Sequence, residues 1–253
     1  MPNAPLNISV VTAVLNRATT IGPALASLQA QTWRCVEHIV IDGASTDGTL
    51  ELLCAQRDRL AILVSERDGG MYAALNRGLA CASGDVVGFL HSDDLYADER
   101  VLERVAQAFD DRAVDGVYGD LDYVARNDPS RVIRHWCARL YDPGQLAWGW
   151  MPPHPTLYLR RSVFETYGGF DTSLRIAADY DAILRYLTRG KIHLKYIPEV
   201  LVKMRLGGKS NRNLSDVLRK TREDYMTLRR HQTGGVGTLI LKNLRKLPQF
   251  AAR

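Results

Sequence analysis

Acidic residues fall at the ends of three successive apolar runs: Asp42 closes Val36–Asp42, Glu66 and Asp68 follow residues 61–65, and Asp93-Asp94 follow residues 86–90. Carboxylates gathered at one sheet edge can hold a divalent cation, accept hydrogen bonds from a base or sugar, or move a proton. Leu90-His91-Ser92-Asp93-Asp94 is the sharpest of these features. Successive side chains on a strand point to opposite faces, so two adjacent carboxylates share one site only if the chain turns there. Such hard oxygen ligands suit Mg²⁺ or Mn²⁺ bridging a diphosphate. A helix N-cap for a segment beginning near Asp98 is the structural alternative. Gly69-Gly70 ahead of Met71-Tyr72 would let backbone amides approach an anion; a tight turn into a helix would look the same. No GxGxxG or P-loop pattern is present, and no glycine-rich turn follows the first apolar run, which argues against a dinucleotide-binding dehydrogenase.

The elements that must position these residues alternate between two periodicities. Ile8–Val14, Val36–Asp42, residues 61–65 and residues 86–90 read as buried strands rich in β-branched residues. Ile21, Leu25 and Leu28, then residues 71–82, then Val101, Val105 and Ala108 recur at helical spacing. Ser45-Thr46-Asp47 offers an N-cap for a helix over residues 50–53. Strands alternating with helices at this spacing predict a parallel sheet covered on both faces, with ligands at the carboxyl ends of its strands. Residues 142–155 read as a loop region, residues 177–189 as a helix, and residues 213–231 as a long charged helix ended by Gly234-Gly235. A short basic segment with Leu239, Leu241, Leu244 and Leu247 follows, without a clean amphipathic stripe.

The 253 residues, 46% hydrophobic and 24% charged, suit one large globular domain with a small appendage and exclude disordered or fibrous classes. Nothing approaches the ~18 consecutive apolar residues of a membrane span. No basic residue precedes the first apolar run, as a secretory signal would require. Cys35, Cys54, Cys81 and Cys137 show no CxxC or zinc spacing and read as reduced thiols, so a cytoplasmic setting is expected. From Lys203 to Arg253 there are 13 Lys/Arg against 3 Asp/Glu, a net of +10, whereas the rest carries −5. An acidic body with a basic end suits contact with an anionic surface, be it a membrane headgroup, nucleic acid or phosphorylated substrate. Few aromatics accompany the basic segment, which disfavours nucleic acid.

A wider pattern joins these features. Thr12 with Asn16-Arg17, Ile41-Asp42-Gly43-Ala44-Ser45-Thr46-Asp47-Gly48-Thr49, Ser65-Glu66-Arg67-Asp68-Gly69-Gly70-Met71-Tyr72, Asn76-Arg77-Gly78, Ala82-Ser83-Gly84-Asp85 and Ser92-Asp93-Asp94 resemble, in order, a family 2 glycosyltransferase. His154-Pro155-Thr156, Gly168-Gly169-Phe170-Asp171 and Ala177-Ala178-Asp179-Tyr180-Asp181 resemble its acceptor-side half. The resemblance spans about residues 7–210. It implies a GT-A fold: an α/β, Rossmann-like mixed, mostly parallel sheet flanked by helices. The expected division is a domain over 1–210, its nucleotide-sugar half about 1–115 and its acceptor half about 116–210, with a C-terminal helical basic extension over 211–253.

The roles that follow are those the resemblance implies. Thr12, Asp42 and Asp68 match positions that hold the nucleoside, Asp93 the ribose or sugar, and Asp94 a Mg²⁺ or Mn²⁺ ligand. Asn16, Tyr72 and Asn76 lie in the matched motifs and join the donor-binding set. Asp179 matches the general base of an inverting reaction, although Ala178 stands where an acidic residue is usual, and Asp181 is a rival. His154 is a candidate acceptor or diphosphate contact. Arg205 and Lys209, with Gly207, Gly208 and Ser210, resemble a lid over the diphosphate. The QxxRW pattern of processive members is absent, so one sugar per acceptor is expected. The implied partners are a nucleotide-sugar donor, UDP favoured over GDP or dTDP, and a saccharide or lipid-linked acceptor. Hexosyl or N-acetylhexosaminyl transfer in bacterial surface polysaccharide or glycolipid synthesis follows, with 211–253 against the inner face of the plasma membrane as a possible setting. A nucleotidyltransferase and a catalytically inactive nucleotide-sugar-binding scaffold are the alternatives. Oligomeric state is left open.

Overall fold

The computed structural model describes residues 4–206 and 214–245. Lys209 with its glycine neighbours, and Leu247, lie outside them. Continuous apolar runs make the central strands: β1 (Ile8–Val14), β2 (Val36–Asp42) and β4 (Val86–Phe89) are buried along nearly their whole length, as strands covered on both faces must be. β3 (Ile62–Ser65) is a half-buried edge. These four pair in parallel, in the order β3-β2-β1-β4. The chain therefore winds outward from β1 through β2 to β3 and returns to the other side of β1 as β4. That reversal opens a crevice at the carboxyl ends of β1 and β4.

The second half of the sheet is mixed. β5 (Leu95–Tyr96), β6 (Gly116–Ala125), β7 (Asp128–Trp136), β8 (Tyr158–Arg160) and β9 (Leu194–Arg205) extend it in the order β4-β8-β6-β9-β5, with β7 pairing β6. Here β8 lies antiparallel to β4 and β6, β7 antiparallel to β6, and β5 antiparallel to β9, whereas β6 and β9 run parallel. The simple parallel alternation thus stops at β4.

Helices α1 (Ile21–Gln29), α2 (Thr49–Cys54), α3 (Met71–Cys81) and α4 (Val101–Ala108) flank the first half. α3 lies directly on β1, because a Cβ at Gly78 would fall 2.3 Å from Val11 Cγ1 and only glycine permits that approach. The N-cap position of α2 is Gly48, at φ +92°, not Ser45, Thr46 or Asp47; Asp47, one residue earlier, still accepts the amide of the first helical residue, Thr49, at 3.1 Å, and its hydroxyl. α5 (Arg161–Tyr167) follows β8, and α6 (Ala178–Arg185) runs into a π-turn at Tyr186–Gly190, so the helix expected over 177–189 changes pitch near its end. Residues 142–155 contain a 3₁₀ turn at Pro143–Trp148, with a second at His154–Thr156. α7 (Leu214–Arg230) and α8 (Val236–Leu244) form the C-terminal extension. They pack on the body: Leu228 belongs to the core that joins α3, α5 and α6, and Thr238 Oγ1 donates to the Ala147 carbonyl at 2.8 Å.

Candidate active site

The loops after β1, β2 and β3 are stitched into one floor. Asp42, fully buried, accepts from the Ser45 amide at 3.1 Å, the Ser45 hydroxyl at 2.5 Å and the Ser65 hydroxyl at 2.6 Å. Asn16, at φ +53°, accepts from the Thr46 amide through Oδ1 at 2.9 Å, and its own amide donates to Ser45 Oγ at 2.8 Å. Asp68 accepts the Gly70 amide at 2.8 Å, and its other oxygen lies so close to Gly43 that a Cβ there would sit 2.9 Å from it. Asn16, Asp42 and Asp68 therefore converge on one rim, and the carboxylates keep lone pairs for further donors. Glu66 instead pairs with Arg77 of α3.

Two members of the expected donor set point elsewhere. Thr12 shares its strand face with Val10 and Val14 and is buried, its hydroxyl 3.0 Å from His38 Nε2. Burial holds His38 down to about 3, so this pair is a neutral interior contact. Asn76 donates to the Phe170 carbonyl and accepts from its amide, both at 2.8 Å, so its amide clamps the loop before α6.

At the crevice the chain does turn: the Asp94 amide donates to the His91 carbonyl at 3.0 Å. Asp94 is 1% exposed and neither carboxylate oxygen has a hydrogen-bond partner. Burial, and then the charge of Asp93, pushes its carboxyl well above the usual range; Arg205 offsets part of this. Arg205, on β9, also donates to the Asp93 carbonyl at 3.1 Å and fastens the turn to the far half of the sheet. A buried carboxylate without a partner fits a divalent cation, which would satisfy both oxygens. Among the described residues no group of three or more His, Cys, Asp and Glu could hold a metal. Asp94 would thus supply a protein corner, with phosphate and water oxygens completing the shell.

The same turn leads to the second centre. His91 Nε2 lies 3.3 Å from His154 Nε2, and His154 Nδ1 lies 3.1 Å from Asp179 Oδ2. Burial, and then the neighbouring His154, lowers His91 to about 4; burial lowers His154 despite the charge of Asp179. With both imidazoles lowered toward the neutral form, the carboxylate oxygen facing His154 Nδ1 sets the tautomers: His154 carries its proton on Nδ1 and donates to Asp179, and His91 donates from Nε2 to His154. The Tyr72 hydroxyl donates to the Ile176 carbonyl at 2.7 Å and lies 3.2 Å from Asp179 Oδ1. Its one proton is committed mainly to the shorter bond, which leaves Oδ1 able to accept from a substrate hydroxyl. Asp181, two residues on, faces the other way into Arg230 and His231 at 3.0 and 2.9 Å.

Burial pushes the Tyr123 hydroxyl up, Arg134 pulls it down, and the charges of both Asp94 and Asp179 add to the rise. Tyr72, His91, His154 and Asp179 line one cavity, and the turn that begins at His91 carries Asp93 and Asp94, with Arg205 bonded to the Asp93 carbonyl. His91 was in view in the sequence only as a neighbour of the acidic pair; the imidazole that completes its role is 63 residues away.

Comparison with known proteins bears on the family and the fold. The model of glycosyl transferase family 2 matches residues 9–168. An uncharacterized glycosyltransferase of Mycobacterium tuberculosis H37Rv is 34% identical over 188 residues, which cover 73% of this chain and 70% of that one. A PGL/p-HBAD biosynthesis glycosyltransferase of Mycobacterium bovis BCG is 30% identical over 213 residues, covering 82% and 80%. Among solved structures, the mannosyltransferase PcManGT of Pyrobaculum calidifontis, in complex with GDP-Man and Mn²⁺, superposes with a TM-score of 0.70 at 22% identity over 99% of this chain and 74% of that one. Residues 1–349 of S. aureus TarS, in complex with UDP-GlcNAc, give 0.67 at 18% identity, covering 89% and 65%. The longer TarS chain is spanned over 43% of its length. These structural likenesses establish a shared GT-A fold.

Proposed function

Because the chain belongs to glycosyl transferase family 2, we propose that this glycosyltransferase is non-processive and inverting. It moves one hexosyl or N-acetylhexosaminyl unit from a nucleotide-diphosphate sugar, UDP favoured, to a hydroxyl of a saccharide or lipid-linked acceptor in bacterial surface polysaccharide or glycolipid synthesis. The observation that supports the reading is the run Asp94–His91–His154–Asp179, which joins an unpartnered buried carboxylate to a carboxylate whose Oδ1 has only the longer contact with Tyr72 and keeps a lone pair for a substrate proton.

Asn16, Asp42 and Asp68 hold the nucleoside on the rim after β1–β3, and Asp93 contacts ribose or sugar. Asp94 would hold Mg²⁺ or Mn²⁺, which when bound would supply charge neutralisation for the departing diphosphate. Arg205, expected in a lid, is the last residue of β9 and adds fixed positive charge beside it. Asp179 Oδ1 takes the acceptor proton while the oxygen attacks from the face opposite the diphosphate. His154 keeps Oδ2 occupied and so fixes which carboxylate oxygen faces the acceptor. The donors named for PcManGT and TarS, GDP-Man and UDP-GlcNAc, support a nucleotide-sugar here, and the name of the PGL/p-HBAD biosynthesis relative supports a biosynthetic transfer.

A melting panel with UDP, GDP, CDP and dTDP, each with and without Mn²⁺, tests this. A ligand that binds the native state raises the melting temperature. One nucleotide should stabilise the protein only with metal, and Asp94→Ala should abolish that shift. No stabilisation by any nucleotide, or an equal shift in Asp94→Ala, would refute the reading.

The extension also supports an anionic membrane surface as a partner. Glu223 and Asp224 are turned inward, so the outward face of α7 carries Arg219, Arg222 and Arg229 beside Leu218, Tyr225 and Met226. On α8, Val236, Ile240 and Leu244 form one exposed apolar stripe opposite the buried Thr238 and Lys242. Among the described residues no helix is long and apolar enough to cross a membrane.

A further inference from the structure

Helix α6, which carries Asp179, begins without a cap of its own. Its N-cap residue is Ala177, preceded by Arg175 and Ile176, and no side chain of this segment accepts from the first-turn amides. Open amides at a helix start need an acceptor. For the N-cap amide of Ala177 and the two amides before it, that acceptor comes from another element. Glu223 of α7, 9% exposed, takes the Arg175 amide on Oε1 at 3.2 Å and the Ile176 and Ala177 amides on Oε2 at 2.8 and 3.0 Å. Tyr72 holds the Ile176 carbonyl from the opposite side. The peptide leading into Asp179 is thus fixed through both its donors and its acceptor.

The neighbouring side chains are held by the same two helices. His231 and Arg230 take Asp181, with Arg230 reaching Asp171 as well at 2.8 Å. Lys242 of α8, paired with Asp224 at 3.0 Å, lies 3.2 Å from the centroid of the Tyr180 ring. Of the first turn, the Asp179 side chain alone is aimed at Tyr72 and His154.

We propose that Glu223 is a positioning residue for the glycosyl transfer: it sets the start of α6, and through it the placement of Asp179 Oδ1 against the acceptor hydroxyl. The α7–α8 extension is then part of the catalytic apparatus and not an appendage to it. This rests on Asp179 being the general base.

The test uses the full-length protein and the UDP-sugar that binds best from a panel of UDP-glucose, UDP-galactose and UDP-N-acetylglucosamine. Release of UDP with water as acceptor gives kcat and KM, and calorimetry gives donor Kd. Glu223→Ala should lower kcat by about 10²-fold, the loss expected when a base is misplaced, with donor Kd and KM unchanged within about twofold. Glu223→Gln keeps one carbonyl oxygen for the Ile176 and Ala177 amides and should recover most of that loss. In an Asp179→Asn background Glu223→Ala should cost nothing more, because residues acting through one group are non-additive. Normal turnover in Glu223→Ala overturns the proposal, and so does an undiminished further loss on top of Asp179→Asn. If Glu223→Ala fails to fold, Glu223→Gln decides: loss of donor binding together with turnover means a purely structural role and overturns it. Near-normal turnover in Asp179→Asn alone would instead remove the base assignment, a separate result from any of these.

Discussion

Removing the His154 imidazole tests the proton path where the geometry is most specific. His154 donates Nδ1–H to Asp179 Oδ2 at 3.1 Å and is itself held neutral by burial. Its loss therefore removes a hydrogen bond and not a charge. A hydrogen bond to a charged group contributes about 1.5–3 kcal/mol, and about 1.4 kcal/mol is a factor of ten in rate. Without the bond, nothing from His154 fixes which carboxylate oxygen of Asp179 faces the acceptor. In His154→Ala kcat should therefore fall roughly 10- to 100-fold, with donor Kd unchanged within about twofold. His154→Asn places an amide N–H where Nδ1–H stood and should recover most of that loss. UDP release reads kcat and calorimetry reads donor Kd. An unchanged kcat in His154→Ala, or an equal fall in His154→Asn, would show that this bond does not position the base.

Two further outcomes are expected. His38, lowered to about 3 by burial from an ordinary 6.5, binds a proton in the unfolded chain that the native state refuses. Stability should therefore fall as pH drops from about 6.5 toward 3, by up to about 1.4 kcal/mol per unit and about 5 kcal/mol in all; urea melts of His38→Gln should lack this component, and equal pH slopes in both proteins would disprove it. The extension should sediment with vesicles containing phosphatidylglycerol and not with phosphatidylcholine alone, and Ile240→Glu should weaken that binding. Absence of binding to either vesicle removes the membrane reading.

The first half of the fold is legible because β1, β2 and β4 are continuous apolar runs buried on both faces, and carboxylates after such runs mark a sheet edge. Strand parity also bears on Thr12: it shares a face with Val10 and Val14, the face that turns into the core and toward His38. The second half carries no comparable signal. β8 has three residues, β7 alternates poorly and carries Arg131, Arg134 and His135, and β6 finds β9 only across some 78 residues. Pairings made at that distance leave no local periodicity. Glu223 was hidden for a different reason. On a helix this charged it reads as one more solvated carboxylate, and only the docking of α7 shows that it faces inward. Where the sequence supplies no N-cap at Ala177, the missing group is itself a signal, but not of which distant residue provides it.

The capping of α6 from α7 also orders events during synthesis. The donor floor, β1 through β4, leaves the ribosome complete within the first hundred residues, whereas Ala177 waits for Glu223, 46 positions later. At about 5–20 residues per second that interval is roughly two to nine seconds. A nascent chain in this window has the loops after β1–β3 without the carboxylate that holds the peptide leading into Asp179. On the proposed roles, such a species would bind donor without consuming it, a silent competitor for the finished enzyme's substrate.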